Sequence, residues 1–297
     1  MPPGRPRDPG STTVTDRIDL DVPAKRRLKE KALHEGTVLQ SFAFDEVHQH
    51  LYVLQVRRGG IGAGNLCLNK LDFDGELLGH MYLHGFGHGV SMGVQNAADG
   101  KVWIWTEAEA KGGYGQAVTR FRFAAGATRT VTDVNTRKPI PGSTNNQPTV
   151  CMASKRIAVR YRLKGKPRYR VWDLDAFVSR HYDDPIADIA QPAPHPDPKI
   201  PFQGYALHGD HLYQLAGTAY DPETNPPAKF GNAHLSCVDL TTGSLLQRMR
   251  TEAGRSLSYR EPEGLAFRHR TKKGLYIGLA SGAAGARRFS LYAKPQS

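Results

Sequence analysis

Apolar and polar residues alternate with period two through most of this chain, and no stretch keeps the 3.6-residue period of an amphipathic helix. That alternation predicts strands whose side chains point to opposite faces in turn. The clearest runs are HLYVLQV (His50–Val56), KVWIWTEA (Lys101–Ala108), RIAVRYR (Arg156–Arg162), HLYQLAG (His211–Gly217) and GLYIGLAS (Gly274–Ser281). Each is followed by a further alternating run: LCLNKLDF (Leu66–Phe73), VTRFRF (Val118–Phe123), YRVWDL (Tyr169–Leu174), HLSCVDL (His234–Leu240) and RFSLYA (Arg288–Ala293). Tight-turn residues then lead to ELLGHMYL (Glu76–Leu83), TRTVTDV (Thr128–Val134) and SLLQRMR (Ser244–Arg250), with a less regular DAFVSRHY in the third unit.

Ahead of each unit stands an echoing stretch: LQSFAF from Leu39, GHGVSM from Gly87, NQPTVC from Asn146, FQGYAL from Phe202 and PEGLAF from Pro262. The polar residue at one fixed place is Gln40, His88, Gln147, Gln203 and Glu263, so the units start 48, 59, 56 and 60 residues apart. A period of that size marks a repeat architecture. Five units of four strands predict an all-β fold, a five-bladed β-propeller of four-stranded antiparallel blades. A β-sandwich shares the strand count but does not require the spacing. The fifth unit runs out of chain after its third strand, and TDRIDLDV (Thr15–Val22) alternates correctly to supply the fourth. That pairing of the two ends would close the ring and remove open edges. The expected organisation is a Pro/Gly-rich disordered arm over residues 1–14 and one propeller over residues 15–297.

The links from second to third strands are expected to be long (Arg57–Asn65, Glu107–Ala117, Gly217–Ala233). So are those from fourth strands to the next unit (Asn135–Asn146, Ser179–Pro201, Thr251–Pro262). In a propeller these two classes share one face, and long loops on a rigid scaffold carry function. The five repeated polar residues begin the strand nearest the axis and should ring the channel mouth on that face. Amides, an imidazole and a carboxylate offer both donors and acceptors, which suits hydroxyl-rich ligands; the plainer reading is a water-filled polar mouth. Glu263 and His88 are the ring members that titrate usefully, and they are the acid/base pair if the protein is an enzyme. The expected ligand-binding set is Gln40, Gln147, Gln203, Glu261, Arg260, Arg160, Glu107 and Tyr205. Arg57, Arg58 and Arg162 could hold an anionic group, and Tyr114, Tyr220 and Trp105 could offer aromatic platforms, although aromatics in strands are more often core.

Other patterns weigh less. His80, His84 and His88 lie four apart, but Gly85, Gly87 and Gly89 argue against a helix that would gather them. GVSMG around Ser91 matches a nucleophile elbow without its helix, and GGIGAG at Gly59–Gly64 lacks the strand-to-helix setting of a phosphate cradle. Cys67, Cys151 and Cys237 each fall in an apolar strand pattern and read as buried free thiols. No cofactor and no metal are expected; a cation such as calcium finds no supporting ligand spacing.

The 297 residues carry a net charge of +12. A basic surface favours polyanions, or serves solubility alone. No zinc-finger, RRM or helix-turn-helix signature supports sequence-specific nucleic-acid binding. No apolar run approaches the ~18 residues of a spanning helix, and the N-terminus has no apolar leader core, so a cytoplasmic monomer is expected, with release or association with a particle as the alternative.

SFAFDEVHQHLYVLQV, NLCLNKLDFDGELLGHMYLHGFGHGVSMGV, QGYALHGDHLYQLAG and SLSYREPEGLAF resemble the bacterial teichoic acid biosynthesis protein C family. That group includes helveticin-J-type bacteriocins and the propellers of some phage receptor-binding proteins. The resemblance runs from about Val38 to the C-terminus. It implies a five-bladed propeller that recognises a cell-wall glycopolymer or another glycan, and it supplies no catalytic residue set. The expected partner is therefore a glycan, a polyol-phosphate polymer or a small polar substrate. The alternatives are a cytosolic tailoring enzyme of a wall-polymer or natural-product pathway using Glu263 and His88, and a protein-interaction propeller.

Overall fold

The middle strands of each unit are apolar on both faces, so both faces need cover. Leu51 and Val53 point one way and Tyr52 and Leu54 the other, and all four are buried. The computed structural model, which describes residues 17–57, 60–220 and 231–296, meets that demand with five sheets arranged around an axis. Blade one is built from Leu39–Asp45, His50–Val56, Leu66–Asp72 and Leu77–His84. Blade two has Gly93–Asn96, Val102–Lys111, Tyr114–Phe121 and Thr136–Arg137; blade three has Thr144–Cys151, Arg156–Leu163, Lys166–Asp173 and Ala187–Ala190. Blade four has Phe202–His208, His211–Ala216, His234–Asp239 and Leu245–Arg250; blade five has Glu261–Arg268, Gly274–Ser281, Arg288–Pro295 and Lys25–Ala32. Within each blade neighbouring strands are antiparallel.

The core is correspondingly divided into five seams between adjacent blades. Tyr52, Leu54 and Leu68 of blade one meet Val94 and Ile104 of blade two. Trp105 meets Trp172 across blades two and three, and Tyr169 meets Tyr205 across three and four. The last two seams join blade four to five and blade five to one. Trp105 and Tyr205, candidates for ligand platforms, are both fully buried in these seams.

The ring is closed by an N-terminal strand, but a different one from that expected. Lys25–Ala32 pairs with Arg288–Pro295, and the alternating segment upstream of it lies against the outside of blades four and five. Ile18 and Leu20 are buried there. The Ile18 and Leu20 amides donate to Tyr213 Oη at 2.8 Å and Gln247 Oε1 at 3.0 Å, and Lys294 Nζ donates to the Leu20 and Val22 carbonyls at 2.8 and 2.6 Å. Side chains satisfy this backbone, so alternation arises here without a ladder. The arm expected over residues 1–14 lies outside the described residues.

Two other elements differ from expectation. Thr128–Thr130 runs parallel to Leu77–His84 as a fifth strand on blade one, Val131–Asp133 forms a 3₁₀ turn, and Thr136–Arg137 takes the outer place in blade two. The irregular DAFVSRHY contains a short helix, Leu174–Val178, capped by the Asp173 carboxylate. Glu107–Ala117 is no long loop, because Val102–Lys111 and Tyr114–Phe121 form a hairpin turning at Gly112 and Gly113. Part of the Gly217–Ala233 link, and Arg58, lie outside the described residues.

Candidate functional site

Four of the five repeated polar residues converge at one end of the axis, and a recurring backbone irregularity helps to turn them there. Ladder register breaks between Leu39 and Ser41, between Phe202 and Gly204, and between Pro262 and Leu265, which leaves Gln40, Gln203 and Glu263 unpaired in bulges. A bulge re-aims a side chain and ends regular pairing. His88 reaches the same mouth from a glycine-rich segment that precedes the first strand of blade two, not from the strand itself. Below this level the inner backbones almost touch. A Cβ at Gly204 would stand 2.9 Å from Gly264 Cα, and one at Gly264 would stand 2.8 Å from Ser41 Cα. The small residue after each polar one thus lets the blades pinch together and floor the mouth.

The mouth is a cavity of 690 Å³ lined by Gln40, His88, Gln203, Glu261 and Glu263, with Arg57 and Arg287 as cations and Glu35 as a further carboxylate. Burial pushes the Glu263 carboxyl well above the usual carboxylate range; the Glu261 charge adds to this and a Gln40 hydrogen bond only partly opposes it. Gln40 Nε2 donates to Glu263 Oε1 at 3.5 Å and to the Leu39 carbonyl at 3.2 Å. Glu261 Oε2 accepts from the Tyr259 hydroxyl at 2.7 Å. His88 is held below the ordinary imidazole range by burial, stacks on Tyr114 with ring centres 5.1 Å apart, and has a buried Nδ1 with no hydrogen-bond partner. Gln203 Nε2 donates to the Gly217 carbonyl at 3.0 Å.

The two lining arginines lie over aromatic rings and meet polar partners, with Arg57 Nε also 4.0 Å from Glu35 Oε1. The Arg57 guanidinium carbon lies 4.0 Å from the Tyr82 ring centre, and its Nη1 is 2.9 Å from His84 Nε2. Arg287 lies over the Tyr259 ring and donates to the Gly282 carbonyl. The wall between them, His34 to Thr37, is pinned from below by buried amides. Asn69 Oδ1 accepts from the His34 amide at 2.8 Å, and Gln55 Nε2 donates to the Glu35 and Thr37 carbonyls at 2.9 and 2.8 Å. Glu35, Asn69 and Gln55 escaped the sequence reading. Asn69 and Gln55 sit at apolar-facing positions of their strands, a buried-polar signal that could have flagged them.

Four expected ligand residues lie elsewhere. Gln147 turns to Arg160, whose Nη1 donates to Gln147 Oε1 at 2.9 Å, while Arg160 Nε donates to Gln191 Oε1 at 2.9 Å and its guanidinium covers the Phe202 ring. The Tyr205 hydroxyl donates to the Gln147 carbonyl at 2.7 Å and accepts from the Arg160 amide at 3.0 Å. Arg260 is buried and donates to the Ala253 and Thr251 carbonyls, both at 2.8 Å, so it braces the loop before blade five and does not pair with Glu261. Arg162 donates to the Gly165 carbonyl at 2.9 Å.

Glu107 is fully buried and acts on the mouth through backbone. Its Oε1 accepts from the Gly89 amide and its Oε2 from the Gly115 amide, both at 2.6 Å, which fastens the His88 segment to the blade-two hairpin. Burial pushes its carboxyl up to about 7 despite hydrogen bonds from the Gly115, Gly89, His88 and Val90 amides.

The weaker motifs resolve simply. Ser91 donates to the Pro148 carbonyl, His80 stacks on His34 with ring centres 3.4 Å apart, and His84 meets Arg57. Cys67, Cys151 and Cys237 are free and buried. Among the described residues no three His, Cys, Asp or Glu side chains gather as a metal site, and no helix is long and apolar enough to cross a membrane.

Residues 38–293 match the family described as the phage 5-bladed beta propeller receptor binding platform domain. The chain belongs to that family. It is 28% identical over 286 residues to the putative major teichoic acid biosynthesis protein C of Bacillus subtilis (strain 168), covering 89% of this chain and 61% of that protein. Its fold is similar to that of the tail fiber of Staphylococcus aureus phage P68, with a TM-score of 0.74 and 19% identity, over 94% of this chain and 54% of that one. The chain thus spans less than two thirds of either relative, and the family match takes in all five inner strands and the mouth apart from its Glu35–Thr37 wall.

Proposed function

We propose that the propeller is a binding module whose mouth cavity holds a cell-wall glycan of the polyol-phosphate type. The observation that carries this reading is the cavity itself. It sets Gln40, Gln203 and a Glu263 carboxyl that burial biases toward its protonated form beside Arg57 and Arg287 in 690 Å³, a size suited to one or two sugar or polyol units. The amides and that carboxyl would exchange hydrogen bonds with hydroxyls, and the guanidinium groups would meet phosphate. Family membership supports it, since the family is named for a receptor-binding platform, as does the name of the Bacillus relative.

The test is calorimetric titration with glycerol-phosphate and ribitol-phosphate oligomers against uncharged oligosaccharides. Binding is expected for the phosphate-bearing chains, weakening as salt rises, and Gln203→Ala should lower the affinity roughly tenfold, the cost of about one hydrogen-bonding group. Equal affinity in Gln203→Ala, or no binding to any of these oligomers, would overturn the reading.

One observation favours a second reading. Burial raises the Glu263 carboxyl and lowers the His88 imidazole in the same cavity, which favours a proton on the one and none on the other. An enzyme built on them would lose turnover in Glu263→Gln while the fold and ligand binding persisted.

A further inference from the structure

A second polar cavity lies away from the mouth, at the far end of the blade-two strands. Trp103 and Arg120 line it, near the end of the hairpin opposite Glu107 and Tyr114. The cleft measures 520 Å³, and its walls carry five arginines: Arg120, Arg122, Arg129, Arg137 and Arg180. They come from four places: the end of the blade-two hairpin (Arg120, Arg122), the Thr128–Thr130 strand on blade one (Arg129), the outer strand of blade two (Arg137) and the turn after the short helix of blade three (Arg180).

The carboxylates are too few, or too occupied, to balance them. Asp133 is the one acidic residue lining the cleft, and its Oδ2 is taken by the Thr130 amide at 2.7 Å and the Thr130 hydroxyl at 2.9 Å. Asp99, which also acts on Arg120, is paired with Lys101. Among the described residues none of the five arginines forms an ion pair within 4.0 Å.

Two of the guanidinium groups are also short of acceptors. Arg137 is only 7% exposed, and its Nε makes no well-directed hydrogen bond; the Tyr182 hydroxyl beside it offers an imperfectly aligned acceptor. Arg129 Nε is buried without an acceptor. Arg137 Nη2 reaches the Val178 carbonyl at a long 3.4 Å, and Arg120 Nη1 donates to Gln95 Oε1 at 2.9 Å. The arginines are spread on aromatic rings, with Arg120 4.5 Å from the Trp103 ring centre and Arg137 5.3 Å from that of Trp105. Burial holds Arg120 and Arg137 below the ordinary arginine range; Arg137 adds to this at Arg120, and Arg180 adds to it at Arg137 while Tyr182 partly opposes it there. Like charges gathered under partial burial, with donors left over, are stabilised by an anion that accepts from several of them at once.

We propose that this cleft is a phosphate site, taking either inorganic phosphate or one phosphodiester group of a polyol-phosphate chain. A phosphate offers acceptor oxygens in several directions, which suits guanidinium groups converging from four parts of the chain, and Trp103 can cover a neighbouring apolar edge. The site is separate from the mouth and does not depend on what the mouth binds.

Inorganic phosphate is the first probe, titrated at matched ionic strength against chloride and followed by tryptophan fluorescence and calorimetry. Saturable binding is expected. The double variant Arg122→Gln with Arg180→Gln removes two exposed arginines that no hydrogen bond ties to the fold, and it should weaken binding at least tenfold with an unchanged melting curve. Gln203→Ala, at the mouth, should leave it unchanged. A glycerol-phosphate oligomer binding this cleft more tightly than inorganic phosphate identifies a polymer as the source, and equal affinity identifies free phosphate. Phosphate that behaves like chloride, or an undiminished affinity in the double variant, would overturn the site. If the double variant failed to fold, Arg129→Gln supplies the same comparison.

Discussion

A Cβ at Gly87 would lie 2.3 Å from the carboxyl carbon of Glu107. The glycine, at φ 155°, lets the chain pass over the buried carboxylate that binds the Gly89 amide one residue beyond His88. Gly87→Ala is therefore expected to displace the His88 segment. Thermal melting should show a loss of ~1–3 kcal/mol, the range for disrupting a buried hydrogen-bonded group, and ligand affinity at the mouth should fall with it. A variant with wild-type melting and wild-type affinity would show that the clamp does not position His88.

The same clamp makes stability depend on pH. The Glu107 carboxyl titrates at about 7 in the folded chain against an ordinary value of 4.5, and Glu263 is raised in the same direction. The folded state then holds protons that the unfolded chain has released, so these two groups oppose folding increasingly as pH climbs from about 4.5 through about 7. Urea unfolding at pH 5 and pH 8 should show the lower stability at pH 8. Glu263→Gln keeps a neutral side chain in place and should flatten that decline. A steeper decline in the variant would contradict a raised Glu263.

Cys151 Sγ and His269 Nε2 are 3.7 Å apart at the other end of the axis. Burial opposes the thiolate, but hydrogen bonding and charge from His269, with help from Ser154, bring the thiol down to about 7, while burial pushes Cys67 up to about 12 and Cys237 up to about 11. An ultraviolet thiolate titration of the native protein should show one of the three thiols ionising near neutrality and the others only in strong base. His269→Ala should remove the neutral step. Its persistence would assign the low value to something other than this pair.

Much of this was legible in the sequence because the inner strands are buried on both faces and repeat a polar residue. Gln40, Gln203 and Glu263 stand at the mouth since each falls at the same bulge. What alternation cannot report is where a side chain ends once it leaves the ladder. Gln147 shares the repeat position but meets Arg160, a partner set by the opposite residue of the neighbouring strand. Arg260 stands beside Glu261 in sequence, yet its guanidinium reaches back to carbonyls seven and nine residues away. The outer strands of blades two and five were misplaced for a related reason, while Glu76–Leu83 and Ser244–Arg250 stand where alternation put them. Outer strands are largely exposed, so burial imposes little period on them, and Ile18 and Leu20 alternate with polar neighbours because side chains of blades four and five receive them.

The closing strand gives the last prediction. Lys25–Ala32 carries five basic residues in eight and covers Arg288–Pro295, whose central residues are apolar and buried. Removing it would expose an apolar strand edge with unpaired amides and carbonyls, the arrangement that templates association between chains. It would also take away the charge that marks the present edge as unattractive to another strand. Deleting residues 17–32 should abolish the cooperative melt or yield large assemblies on size exclusion, and adding the segment back as a peptide should restore the monomer peak. Reversing only the charges of Lys25 and Lys29 to Glu should leave melting within about 1 kcal/mol, because both are exposed and exposed charges contribute little. A deletion that melts like the intact chain would mean that the apolar seam between blades five and one, without the outer strand, suffices to hold the ring shut.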